Sequence, residues 1–240
     1  MWSLYKVIVE KFKNFVGKSK LLNNVTRALY SCSFGKIINY MTNRNLLKNF
    51  DETLLQLDKA FNQENICYWP AFGTLLGLYR DGSVLKHDLD IDIGVWSDEN
   101  HDLIRATLER HGFRRVRSFS SITVNEAYEE RYSYKGVGVD IFFFSKCGSK
   151  AITHDFVRSV KVNEDDTEFL VRRLTVDFEK LGLGCLEYNG MKLNIPMPID
   201  KHLSSRYGND FMTPNPKWCY RSGARSIQDL SQDGLVYFYE

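Results

Sequence analysis

Asp88-Leu89-Asp90-Ile91-Asp92-Ile93-Gly94-Val95-Trp96 alternates acidic and aliphatic side chains up to Ile93. A period of two is that of a β-strand, in which successive side chains point to opposite faces. On a strand over 88–96, Asp88, Asp90 and Asp92 share one face while Leu89, Ile91 and Ile93 enter the core. Three like charges on one face repel, so the row is tolerable where a cation sits among them. Ligands that are all oxygen favour a hard ion, Mg2+ or Mn2+. A fourth carboxylate belongs with these three. Asp140, flanked by Val139 and Ile141, interrupts the run Val137–Phe144, which is apolar enough for the centre of a sheet. A buried carboxylate needs a partner, and the same ion would serve it. The competing reading places the aspartates on the solvent face of an edge strand; it accounts for Asp88 better than for Asp140.

Upstream, Ala71-Phe72-Gly73-Thr74-Leu75-Leu76-Gly77-Leu78-Tyr79-Arg80 reads as a strand-to-helix turn entering a helix. Gly73 and Thr74 would bring backbone N–H groups, a hydroxyl and a helix N-terminus to one end of the acidic strand, an arrangement that suits an anion. Arg80 and Lys86 are the nearest basic residues for stabilising phosphate charge. His87 is a weaker candidate for a base, since a lone histidine in a turn is more often a solvent contact.

Further out, Phe50, Leu54, Leu57 and Phe61 fall at helical spacing over 49–62, with Asp51 and Glu52 in the expected first turn. Leu103, Ile104 and Leu108 mark a helix over 99–111 that ends at Gly112. Strands are expected over 121–124, 127–134 and 137–144. Asn189-Gly190 between two alternating runs predicts a hairpin over 186–195, followed by a short helix and proline-bearing loops.

The chain of 240 residues carries a net charge of +2, which hides an asymmetry. Lys6, Lys11, Lys13, Lys18, Lys20, Arg27, Lys36, Arg44 and Lys48 face only Glu10 in the first fifty residues. Trp2, Tyr5, Val9, Phe12 and Val16 make an amphipathic basic helix there. It suits either an anchor on anionic lipid or a face packed on its own domain. The domain reading is a basic helical extension over 1–48 and a catalytic domain over 49–240. Cys32, Cys67, Cys147, Cys185 and Cys219 form no Cys-x-x-Cys pair and read as reduced thiols. No run approaches the roughly 18 apolar residues of a membrane span, and the N-terminus lacks a signal-peptide core. The expected location is cytoplasmic, with peripheral contact at the inner face of the membrane through residues 1–20. Nucleic acid is a weaker partner, because the interleaved lysines and aromatics follow helical periodicity.

Phe72-Gly-Thr-Leu-Leu-Gly-Leu-Tyr-Arg80, Asp88-Leu-Asp-Ile-Asp-Ile-Gly94 and the downstream Ile195-Pro-Met-Pro-Ile-Asp200, Leu203, Tyr207-Gly208 and Met212-Thr-Pro214 together resemble the LicD/fukutin family of the DNA polymerase beta nucleotidyltransferase superfamily. The resemblance covers roughly residues 50 to 220 and implies an α+β nucleotidyltransferase fold, a mixed sheet flanked by helices. It also implies a metal-dependent phosphotransferase that moves phosphocholine or an alditol phosphate from a CDP-linked donor to a hydroxyl of a glycan or glycolipid, as in lipopolysaccharide or capsule. The family's metal-binding aspartates fall on Asp90 and Asp92, its earlier acidic position on Asp88, and its third-strand aspartate on Asp140. Tyr207, Gly208 and Asp210 fall where the family motif contributes to a substrate pocket. This sequence departs from bacterial members, which usually have Pro-Trp ahead of the acids where Lys86-His87 stands and an acid where Leu89 stands.

Two other readings use the same residues. Transfer of a nucleotide from an NTP needs the same metal geometry and differs in releasing pyrophosphate where the first reaction releases CMP. A binding module without catalysis would dock on membrane or glycan through the basic front.

Overall fold

The computed structural model describes residues 20–158, 169–178, 182–215, 218 and 227–239; the amphipathic segment over 2–16 and Cys219 lie outside them. The chain forms two compact units, Met1–Arg44 and Asn45–Glu240. Helix α1 (Lys20–Gln63) runs from the first into the second. The elements that follow are β1 (Tyr68–Pro70), α2 (Phe72–Arg80), β2 (Asp90–Trp96), α3 (His101–Arg110), β3 (Arg114–Ser121), β4 (Tyr128–Tyr134) and β5 (Val137–Cys147). After these come β6 (Lys150–Arg158), β7 (Phe169–Asp177), β8 (Leu183–Tyr188), β9 (Met191–Pro196), α4 (Ile199–Tyr207) and β10 (Ile227–Phe238).

Eight strands make one mixed sheet in the order β1-β2-β5-β4-β3-β10-β7-β6, and β6 pairs again with β5. Six strands therefore close a ring, from which β2 and β1 extend. β2 and β5 are parallel, and the other pairs are antiparallel. The architecture is α+β, with the mixed sheet and flanking helices that the family resemblance implies.

Strand alternation divides the β2–β5–β4 region into two faces. Ile91, Ile93, Val95, Val139, Ile141, Phe143 and Tyr132 point to one side and pack with Leu46, Phe50, Leu54, Leu57 and Phe61 of α1 and Ile104 and Leu108 of α3. Both helices are amphipathic, so burying their apolar stripes on this face supplies the main hydrophobic contribution to the fold. The opposite face carries Asp90, Asp92, Asp140 and Arg131.

Several expected boundaries move. The helix expected from Asn49 is already under way there, because Asp51 and Glu52 are not first-turn acids. Asp51 accepts from the Tyr188 hydroxyl at 2.6 Å and Glu52 pairs with Lys135. The strand expected from Asp88 begins at Asp90, since the Asp88 N–H closes a turn on the Leu85 carbonyl at 3.1 Å. The strand expected over 121–124 is instead β3 over Arg114–Ser121. Its arginines and serines hide the strand period, and pairing with β4 and β10 supplies it. Strand β10 lies in the tail that the sequence reads as loop. The Asn189-Gly190 hairpin forms with both residues at positive φ, 47° and 80°.

Candidate metal centre

Register builds the centre. Asp92 on β2 is the direct partner of Asp140 on β5, and Asp140 is the direct partner of Arg131 on β4. One cross-strand row therefore holds acid, acid and base on the same face. Asp90, two residues before Asp92, lies beside Gly138. One carboxylate oxygen from each of Asp90, Asp92 and Asp140 lies within 4.8 Å of the others.

Helix α2 holds the row in place. The Ala71 N–H donates to the Asp92 carbonyl at 2.9 Å, and the Asp92 N–H donates to the Thr74 hydroxyl oxygen at 2.9 Å. The backbone of Asp92 is thus fixed on both sides by the entry to the helix. Phe72, the first helical residue, sits at φ +43°, a strained position for a side chain of that size, next to the centre. No side chain caps α2 at Ala71. Its first amides are therefore the positive end of a helix dipole.

The acids feel one another. Burial and then the neighbouring Asp90, Asp140 and Asp88 push the Asp92 carboxyl well above the ordinary range. Burial and Asp90 push Asp88 up to about 7. Burial raises Asp140 while Arg131 opposes the rise. The Arg131 Nη1 donates to Asp140 Oδ2 at 2.6 Å and to Asp90 Oδ2 at 2.9 Å. Asp140 Oδ1 is buried and has no hydrogen-bond partner among the described residues. A site with three clustered carboxylates, one orphaned buried oxygen and carboxyls driven towards protonation lacks positive charge, and a hard divalent cation fits that deficit.

The other sequence candidates fall in different places. Asp88 lies outside the three-residue cluster, with its carboxylate against the Cα of Gly73; a Cβ there would stand 2.9 Å from Oδ2. Gly73 and Thr74 open α2 beside Asp92, with Thr74 fully buried. Arg80 binds Asp81 at 2.8 and 3.0 Å and donates to the Phe211 carbonyl at 3.2 Å, which ties α2 to the turn after α4 and commits its charge away from the row. Lys86 and His87 are exposed in the turn before β2. Burial raises the Tyr207 hydroxyl, Arg206 opposes the rise, and the nearby Asp92 and Asp88 add to it. Gly208 terminates α4 at φ 97°, and Asp210 is exposed.

Three residues of this region escape the sequence reading. Arg131 is the first, yet its signal was present. Lys135-Gly136 is a two-residue turn with φ 49° and 78°, and counting back from Tyr134 opposite Val137 places Arg131 opposite Asp140. Glu129 is the second, 7% exposed and raised by burial and by Asp140. The third is Arg206, 6% exposed. Its guanidinium lies over the Phe72 ring at 4.9 Å, with Nε and Nη1 lacking partners among the described residues. Glu129 lies two residues before Arg131 on the same face of β4, so the same turn places it. Arg206 had no sequence signal, because it is a buried polar group delivered by a distant segment.

Residues 65–183 match the LicD/FKTN/FKRP nucleotidyltransferase domain. The chain is similar to ribitol-5-phosphate transferase FKTN of Macaca fascicularis, 24% identical over 183 residues, covering 75% of this chain and 37% of that protein. The Homo sapiens protein of that name is 23% identical over the same shares. That of Mus musculus is 25% identical, covering 73% of this chain and 36% of its own. The chain thus spans little more than a third of the length of these curated relatives.

Proposed function

Because residues 65–183 belong to the LicD/FKTN/FKRP nucleotidyltransferase-domain family, we propose that the protein transfers an alditol phosphate from a CDP-linked donor to a glycan hydroxyl, on a nucleotidyltransferase-type fold. The observation that carries this reading is the meeting of Asp90, Asp92 and Asp140 within 4.8 Å beside the N-terminus of α2. Ribitol 5-phosphate is the favoured substituent, since the relatives are ribitol-5-phosphate transferases by name; phosphocholine is the second choice.

Asp90, Asp92 and Asp140 would hold Mg2+ or Mn2+, which when bound supplies Lewis-acid stabilisation of phosphate charge. The residues do the rest. The amides at the start of α2 would orient donor phosphate oxygens, and Arg206, its guanidinium over the Phe72 ring, is a buried positive charge next to that helix end. Asp140, buried and paired with Arg131 through Oδ2, takes up the proton of the incoming hydroxyl. The acceptor oxygen then forms a bond to the phosphorus of the alditol phosphate, the bond from that phosphorus to the CMP oxygen breaks, and CMP leaves with the electron pair.

Purified protein given CDP-ribitol, CDP-glycerol, CDP-choline or CTP with Mg2+ or Mn2+ tests this. CMP release from a CDP-alditol is the expected result. Asp90→Asn with Asp92→Asn should lower turnover by roughly two orders of magnitude or more. That variant removes like charges and should stay folded by circular dichroism. Undiminished turnover, or release of pyrophosphate from CTP, overturns the reading.

A further inference from the structure

The Arg131 guanidinium occupies a bridging position within the carboxylate row. Its Nη1 touches Oδ2 of Asp140 at 2.6 Å and Oδ2 of Asp90 at 2.9 Å. Centres that use two divalent ions place them about 3.5–4 Å apart and share carboxylates between them. In this centre one of the shared positions is filled by a cation covalently part of the chain. From this geometry we infer that Arg131 stands in for a second metal ion and limits the centre to one divalent cation, held by Asp92 and the remaining oxygens of Asp90 and Asp140. The inference rests on the metal reading of the row given above.

Three independent features support it. The first is room: Gly138, next to Asp90 in the register, has no side chain, and a Cβ there would stand 2.2 Å from Nη2, 2.8 Å from Cζ and 3.0 Å from Nε of Arg131. The β5 strand is shaped at this point for the guanidinium to lie across it. The second is permanence. A guanidinium stays protonated at all working pH values, so it cannot vacate the bridge by losing its proton. Moving away while still charged would strip Asp140 Oδ2 of its guanidinium partner while Oδ1 is already without one among the described residues. The third is what remains. Asp140 Oδ1 is buried and without a partner among the described residues, and Asp92 lies within 4.8 Å of both other acids with no ion pair to a basic side chain among the described residues. The unmet demand for positive charge is therefore concentrated on the side of the row away from Arg131.

The consequence is chemical. A one-ion centre with a fixed arginine balances the carboxylate charge from two sides, only one of which a chelator can remove. An arginine also offers directional N–H donors where a second ion would offer coordination sites.

The test counts ions. Mn2+ titrated into the metal-free protein and followed by electron paramagnetic resonance should give one bound ion with an uncoupled six-line signal. Arg131→Met should raise the count from one to two and introduce spin coupling between them. Gly138→Ala should do the same while retaining every charge, because its Cβ displaces the guanidinium; it serves if Arg131→Met does not fold. Two ions in the unaltered protein overturn the inference and leave the metal reading standing. One ion in both folded variants also overturns it, since Arg131 would then not set the count. No Mn2+ binding at all overturns the inference together with the metal reading.

Discussion

Thr74 has no exposed surface, and its hydroxyl oxygen receives the Asp92 N–H at 2.9 Å. Removing a hydroxyl from such a place leaves a buried N–H unsatisfied, which costs about 1–3 kcal/mol. Thr74→Ala should lower the stability to urea by that amount and weaken Mn2+ binding, while Thr74→Ser, which keeps the oxygen, should change both far less. Equal losses in the two variants would mean that the lost methyl, and not the hydrogen bond, matters. The same residue shows how a motif can be legible and its use not. Gly73-Thr74 marks the helix entry in the sequence, but the direction of the hydroxyl, towards the backbone of the acidic strand, depends on a neighbour eighteen positions away.

At the scale of elements, α2 and the turn that follows it are packed backbone to backbone. A Cβ on Gly77 would lie 2.6 Å from the Ser83 carbonyl oxygen and 2.9 Å from the Leu85 nitrogen. Helix propensity alone predicts that Gly77→Ala stabilises the protein by about 1 kcal/mol. Overpacking against atoms that cannot yield costs about 1–3 kcal/mol, so the net effect should be a loss, with Asp88 displaced because it ends the same turn. Thermal melting decides: a Gly77→Ala variant that melts higher would rule out the tight packing of α2 on residues 83–85. Elements with a strong local period, such as β2, α3 and the Asn189-Gly190 hairpin, were readable from the chain. Strand β3 was not, because Arg115, Arg117 and Ser118 acquire their roles only against β4 and β10.

At the scale of the whole molecule, packing changes the chemistry of groups far from any motif. His202 is 4% exposed beneath Phe178, with Nδ1 2.9 Å from the Asp177 carbonyl oxygen. Burial pushes its pKa down to about 4. A histidine depressed in the folded state is protonated first in the unfolded chain. Its contribution is therefore complete above about pH 6.5 and is lost as pH falls towards 4, by at most about 3 kcal/mol. Asp88 and Asp92 are raised and act in the opposite sense, so the difference between proteins is the informative quantity. His202→Asn, which keeps a donor for the Asp177 carbonyl, should remove the acid-side loss; stability curves that stay parallel from pH 7 to 4.5 would refute the assignment.

The sequence by itself determined that an acidic strand, a helix entered at Gly73-Thr74 and an apolar strand bearing Asp140 exist, because each is written in a short-range period or turn. It also carried the family likeness, since that too is local. Tertiary structure alone decided that Asp92 and Asp140 stand side by side and that Arg80 is committed elsewhere. It likewise brought the buried Arg206 to the same region. These outcomes depend on strand register and on which face each helix covers, and those follow from burying the whole apolar surface at once. Arg131 lies between the two cases: the turn at Lys135-Gly136 encodes its place opposite Asp140, but only the folded sheet brings Asp90 within reach of the same guanidinium.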